Sequence, residues 1–114
     1  MKKAVTLALI GSLLSVNALA AGALTAAKVV MVRVDKQGQG MLVFDQSVGG
    51  TPPSCVIAGY VNAMAFDANT SGGKAILAMA LAAKASGSSV EVYGTGTCSI
   101  YGNYVEDVNS GIGH

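Results

Sequence analysis

The chain has 114 residues, only 11% of them charged, and a formal net charge of +1. A chain of this length accommodates one hydrophobic core and not two. The near-neutral charge gives no general attraction to nucleic acids or anionic membranes, so no nucleic-acid partner is expected. The only histidine is the last residue, His114, which excludes a histidine-based triad or a two-histidine metal site within one chain.

The first twenty residues have the three parts of a secretory signal peptide. Lys2 and Lys3 form a basic start, an apolar stretch covers 4–16, and Ala18-Leu19-Ala20 is a small-residue triplet of the kind that precedes cleavage. The apolar stretch is shorter than the roughly 20 residues that span a bilayer. We predict cleavage after Ala20, one OB-like domain over 21–114, no stable membrane insertion afterwards, and a secreted or periplasmic location in a bacterium.

Both cysteines, Cys55 and Cys98, lie in the part that is predicted to be exported, where thiols oxidise. Only one intramolecular pairing is possible, and it closes a loop with a sequence separation of 43 residues. Such a disulfide contributes about 4 kcal/mol in the chain-entropy description. A zinc site or a redox-active pair fits poorly, because no histidine lies nearby and the spacing is unlike C-x-x-C. We therefore predict a structural disulfide, no metal and no cofactor.

Five strands are predicted from β-branched residues and alternation, bounded by glycine-rich turns. In chain order they are 28–35, 41–46, 60–67, 88–94 and a last strand within 101–109. The first two are joined by five turn residues, as in a hairpin. With a helix between the third and fourth strands, the order β-β-β-α-β-β is typical of a five-stranded OB-like barrel. An open α+β sheet is the alternative.

The predicted helix runs from about 72 to 86, with capping residues at 69–71 and a left-handed stop at Gly87. Its interior has only Lys74 and Lys84 as charges, whereas an ordinary surface helix has a polar face. We expect the helix to be covered on more than one side, either by tight packing on a small barrel or by a second chain. The residues predicted to meet that chain are Ile76, Met79, Ala80 and Ala83.

Five segments, which together span most of the chain after residue 20, carry a family resemblance. They are VVMVRV at 29–34, PSC at 53–55, AFD at 65–67, AAKASGSSVEVYGTGTC at 82–98 and NYVEDVNSGI at 103–112. In these segments the chain resembles the small secreted OB-fold proteins related to the B subunit of subtilase cytotoxin, the AB5 toxin B-subunit-like family. None of the segments is a catalytic signature, so the resemblance concerns the fold more than the function.

The resemblance implies an OB-type barrel, a ring of five copies with the helices near its axis, and shallow glycan pockets on the subunit surface. The family's binding serine, at the start of its first strand, aligns near Ala26, which has no hydroxyl. Thr25 is the alternative if the register shifts by one residue. No binding residue is therefore carried over from the family, and the expected partners are further copies of the chain in a pentamer, a glycan or an envelope protein.

The carboxylates do not form a convincing catalytic pair. Glu106 and Asp107 are adjacent on a predicted strand and would point to opposite faces, which is unsuited to paired-carboxylate chemistry. Asp35 and Asp45 flank the predicted hairpin, where solvated strand ends explain them. We predict that the protein is not an enzyme and has no catalytic residues.

Three tyrosines, Tyr93, Tyr101 and Tyr104, fall in the last two predicted strands and their connection. Exposed rings there could stack on a sugar, although sheet tyrosines more often serve as half-buried packing. These residues are the predicted ligand-binding surface of a secreted, non-catalytic binding module, one that resembles the glycan-binding AB5 B subunits. The alternative is a structural or partner protein of the periplasm or envelope, whose helix docks on another chain and which binds no small ligand.

Overall fold

The computed structural model describes residues 21–114, so the predicted signal peptide lies outside the described residues. The described part contains seven strands, one α-helix and a short 3-10 turn at Ala58–Tyr60. The elements are β1 (Gly22–Ala27), β2 (Val29–Val34), β3 (Gln39–Phe44), β4 (Gly49–Gly50), β5 (Ala63–Asp67), α1 (Ser71–Ser86), β6 (Val90–Gly94) and β7 (Val108–Gly113).

The strands form two sheets. One has the order β4-β1-β6-β7 and the other the order β2-β3-β5, and all neighbouring strands within them are antiparallel. A single residue, Lys28, separates β1 from β2, so the chain passes directly from one sheet to the other. An isolated parallel bridge between Ala65 and Asp107 connects β5 to the segment before β7. The two sheets therefore meet at both of these points.

The mostly β architecture with one helix is confirmed, but the closed five-stranded barrel is wrong, because seven strands lie in two sheets. β1 was not predicted, because its sequence, GALTAA, has only one β-branched residue. The last strand begins at Val108 and not within 101–107. Before it the chain turns at Gly102 (φ 67°) and Asn103 (φ 30°), two consecutive left-handed residues that interrupt an extended strand.

The helix forms as its flanking residues predict. Thr70 caps α1 by accepting a hydrogen bond from the Gly73 amide at 2.9 Å. At the other end Gly87 adopts φ 73°, and its amide donates to the carbonyl of Ala83. These local signals define both ends of the helix.

Within the three-stranded sheet, β3 and β5 are buried on both faces, whereas most of β2 is exposed. Alternate side chains of β3 and β5 point in opposite directions and so enter two different cores. One set packs under α1 and against β1 and β6, and we call it the helix-side core: Leu42, Phe44, Met64 and Phe66. The other set packs with Val105 under the segment 95–107, and we call it the tail-side core: Met41, Ala63 and Ala65. Different parts of the chain therefore cover the two faces.

The predicted disulfide is confirmed. Cys55 and Cys98 are bonded, with their Cα atoms 6.2 Å apart, and no cysteine of the described residues is free. The bond ties the loop before the 3-10 turn to the segment 95–107. Within the part of the chain that the structure describes, no helix is long and apolar enough to span a membrane.

Candidate functional site

Three half-buried tyrosines contact one another over the tail-side core, and we call them the tyrosine cluster: Tyr60, Tyr101 and Tyr104. The ring centroids of Tyr60 and Tyr104 are 4.9 Å apart and those of Tyr101 and Tyr104 are 5.9 Å apart, with tilts of 53° and 50°. Tilted rings at these separations are favourable aromatic pairs. Tyr104 lies in the middle of the row.

The segment 95–107 is irregular, and the Asp107 carboxylate organises it. This side chain is 5% exposed. It accepts hydrogen bonds from the amides of Ser99 at 2.9 Å and Ile100 at 3.0 Å. The hydroxyls of Ser99 and Thr97 also donate to it, at 2.5 and 3.3 Å. A buried carboxylate with several donors holds a loop firmly, and this loop carries Tyr101 and Tyr104.

Charged side chains border the Tyr101 end of the cluster. The Tyr101 hydroxyl donates to Asp35, and Arg33 Nε donates to the same carboxylate at 2.9 Å. The Arg33 guanidinium also lies 5.6 Å from the centroid of the Tyr101 ring, within the range of a cation–π contact. The hydrogen bonds from Tyr101 and then Arg33 hold the pKa of Asp35 below its ordinary value. Burial, followed by the bond to Asp35, raises the pKa of Tyr101.

A pocket of about 290 Å³ opens at the Tyr60 end of the cluster. Most of its wall is apolar, and Glu106 is the one charged residue among the described residues that line it. The lining residues are Ser47, Val48, Pro52, Val56, Tyr60, Val61, Ala63 and Glu106. Because Tyr60 belongs to both, the pocket and the tyrosine cluster form one continuous surface.

Glu106 is 1% exposed and is held by backbone donors. The Gly22 amide donates to both carboxylate oxygens, at 3.1 and 3.0 Å, and the Gly96 amide donates to one of them at 2.9 Å. A Cβ atom at Gly22 or at Gly94 would overlap the carboxylate. Glycine is therefore required at both positions if Glu106 is to occupy this place.

The two adjacent carboxylates bond to different parts of the chain, Glu106 to Gly22 and Gly96, and Asp107 to Ser99 and Ile100. Both carboxylates accept hydrogen bonds from backbone amides, and Asp107 also accepts them from hydroxyls. Hydrogen bonds of this kind hold loops in position. Among the residues that the structure describes, no group of three or more histidine, cysteine, aspartate or glutamate side chains could hold a metal ion. The absence of catalysis stays a prediction.

The structure brings together only part of the predicted ligand-binding set. Tyr101 and Tyr104 join the cluster, whereas Tyr93 lies on β6 in the other sheet, paired with Ala23 and Ser110. Tyr60 takes the third position, although it precedes the last two strands by about thirty residues. The sequence contains no signal for this contact, because it depends on how the loop before β5 folds against the segment 95–107.

The predicted partner residues of the helix contact the chain's own core. Ala80 and Ala83 are 0% and 5% exposed, and Ile76 and Met79 pack against the helix-side core. The large apolar side chain that α1 leaves outside is Leu81, at 50% exposure. Tight packing on the sheets thus accounts for one face of the helix, and the pentamer stays a prediction.

Comparison of the chain with protein-family models, with curated proteins and with solved structures finds no match in any of the three. The resemblance to the AB5 B subunits stays a prediction.

Proposed function

We propose that the protein is an exported, non-catalytic binding module that recognises carbohydrate through the tyrosine cluster and the pocket next to it. The observation that carries the proposal is the row of three contacting tyrosine rings, with a pocket at the Tyr60 end and the Arg33–Asp35 pair at the Tyr101 end. Sugar rings offer C–H faces to aromatic side chains and hydroxyls to polar ones. A surface that places aromatic rings next to polar side chains is therefore suited to binding sugars.

The polar side chains at the Tyr101 end are accessible to a ligand. The side chains of Arg33 and Asp35 are 48% and 29% exposed even though they bond to each other. Arg33 retains free donors, since only its Nε is used in that pair. A sugar lying across Tyr104 would therefore meet both donors and acceptors at this end.

Export is supported by the residues themselves. The N-terminal segment has the pattern of a signal peptide, and the domain contains a disulfide of the kind that persists in oxidising compartments. These features suit a protein that meets glycans outside the cytoplasm.

The test is a glycan array probed with the oxidised protein and with Tyr104→Ala, which removes the central ring of the cluster. We expect the wild type to bind a defined set of glycans and the variant to lose roughly tenfold in affinity, as the loss of one aromatic stacking contact implies. Tyr93→Ala is the matched control, because Tyr93 lies in the other sheet, and its binding should be unchanged.

An array on which the folded wild type binds nothing would refute the proposal. Equal binding by the wild type and Tyr104→Ala would show that the tyrosine cluster is not the glycan-binding surface.

A further inference from the structure

The pocket next to Tyr60 has a chemical character that stacking on tyrosines does not require. Five of its lining residues are aliphatic or proline, and its volume of about 290 Å³ lies at the lower limit of small-molecule sites. It can take one small ring and not an extended ligand. A pocket that only extends an aromatic stacking surface does not require a buried carboxylate. Glu106 nevertheless lines this pocket.

Glu106 has hydrogen-bonding capacity that the protein does not use. A carboxylate offers about four acceptor sites. Among the described residues, two backbone amides donate to the Glu106 side chain, and one of them is shared between its oxygens. Within the described part of the chain it has no salt bridge, and no lysine, arginine or histidine lines the pocket. Glu106 is only 1% exposed but lines this pocket, so the pocket is the side from which a donor would approach its remaining acceptor sites.

The carboxylate is also preorganised. The backbones of Gly22 and Gly94 lie so close that a Cβ atom on either would overlap it, and the amides of Gly22 and Gly96 donate to it. A group that is already fixed in place loses little entropy when a ligand binds to it. This geometry is what a selective hydrogen-bonding site requires.

We propose that this pocket is the specificity subsite of the binding module, that it takes a single uncharged sugar ring whose hydroxyls donate to Glu106, and that it excludes acidic sugars. The inference depends on the proposed carbohydrate binding and names the class of sugar.

Acidic sugars are excluded because their carboxylate would lie against a buried carboxylate, and no described residue of the pocket wall carries a positive charge that would compensate. Burial without a partner is costly for one charge, and a second like charge adds repulsion. A neutral hydroxyl instead satisfies an acceptor of Glu106, and the apolar walls and the ring of Tyr60 can contact the C–H groups of the sugar.

The experiment follows the methyl NMR signals of Val48, Val56 and Val61 while the protein is titrated with matched sugars. The pairs are glucose with glucuronate and galactose with galacturonate, which differ only in the carboxylate at C6. We expect saturable shifts with at least one neutral sugar and at least tenfold weaker binding of its acidic counterpart. No shift with any of the four sugars, or equal binding within the pairs, would overturn the proposal.

Two variants test whether Glu106 and the pocket are responsible. Glu106→Gln keeps the size of the side chain and removes its charge, so the preference for neutral over acidic sugars should fall severalfold. Ser47→Trp should block the pocket and abolish the shifts without touching Glu106. Ser54→Trp is its control, since Ser54 is also exposed but does not line the pocket. Unchanged binding by Ser47→Trp would contradict the assignment.

Failure of this inference is distinguishable from failure of the proposed function. If glycan binding needs Tyr104 but is unaffected by Ser47→Trp, only the assignment of the pocket as specificity subsite is refuted. If the NMR shifts caused by neutral sugars persist in Tyr104→Ala, the pocket remains a sugar-binding site and the tyrosine cluster does not contribute to binding. Silence in both experiments would reject both.

Discussion

The two faces of the three-stranded sheet are covered in different ways. Regular elements, α1, β1 and β6, cover the helix-side core, and most of its contacts are between apolar side chains. An irregular segment, 95–107, covers the tail-side core. It is held by the disulfide, by the bonds to Asp107 and by the packing of tyrosines.

The difference explains where the candidate site lies. A helix that covers a face must present its backbone in a regular repeat, which leaves few polar groups for a ligand. An irregular segment fixed to a rigid sheet can expose rings, carboxylates and pockets, and binding sites are often built in this way. The tyrosine cluster lies on the tail side.

The largest expected effect is on the helix side. Phe66 is 2% exposed, and its ring occupies the space next to Gly40 where a Cβ would lie. Phe66→Ala should lower the free energy of unfolding by about 3–5 kcal/mol, because it removes buried apolar area and leaves a cavity. Denaturant unfolding measures this change in the free energy of unfolding. Val30→Ala, at a position that is 50% exposed, should change the free energy by no more than about 0.5 kcal/mol. Similar losses in the two variants would contradict this account of the helix-side core.

A smaller effect is expected on the tail side. Asp107→Ala leaves the part-buried amides of Ser99 and Ile100 without their acceptor and should cost about 2–3 kcal/mol. Asp107→Asn keeps an acceptor oxygen and should cost less. Unfolding curves give both values, and near-ultraviolet circular dichroism reports whether the tyrosines remain packed. If both variants lost the same stability, the bonds to Asp107 would not be what holds this segment.

The smallest effect concerns the edge of the tyrosine cluster. Tyr101→Phe removes the hydroxyl that donates to Asp35, so the pKa of Asp35 should rise towards its ordinary value. NMR titration of the Asp35 carboxyl measures it. Tyr93→Phe, whose ring lies in the other sheet, should leave that pKa unchanged.

The pH dependence follows from the direction of the shift. The folded protein holds the pKa of Asp35 below the unfolded value of about 3.9. Asp35 therefore contributes stability above that pH, and the contribution is lost as the pH falls through the lower, folded pKa. Tyr101→Phe should lose less stability on acidification than the wild type does. An equal loss would show that the bond from Tyr101 to Asp35 does not cause the shift.

Features whose signals are local could be predicted from the sequence. The helix begins after Thr70 and ends before Gly87 because capping residues act on their own neighbours. The central residues of β3, β5 and β6 lie within predicted strands, and in β6 the signal is the alternation of Val90 and Val92 with polar or aromatic residues. The pairing of Cys55 with Cys98 was the only intramolecular one available.

Contacts between distant segments could not be predicted in this way. Seven strands in two sheets, Tyr60 against Tyr104, Tyr93 in the other sheet, and Glu106 against Gly22 across 84 positions of sequence are all contacts between remote parts of the chain. Periodicity and capping describe interactions within one element, and the candidate site is assembled from loops that have no period. Its residues became neighbours because the disulfide and the Asp107 carboxylate hold the irregular segment against the sheet.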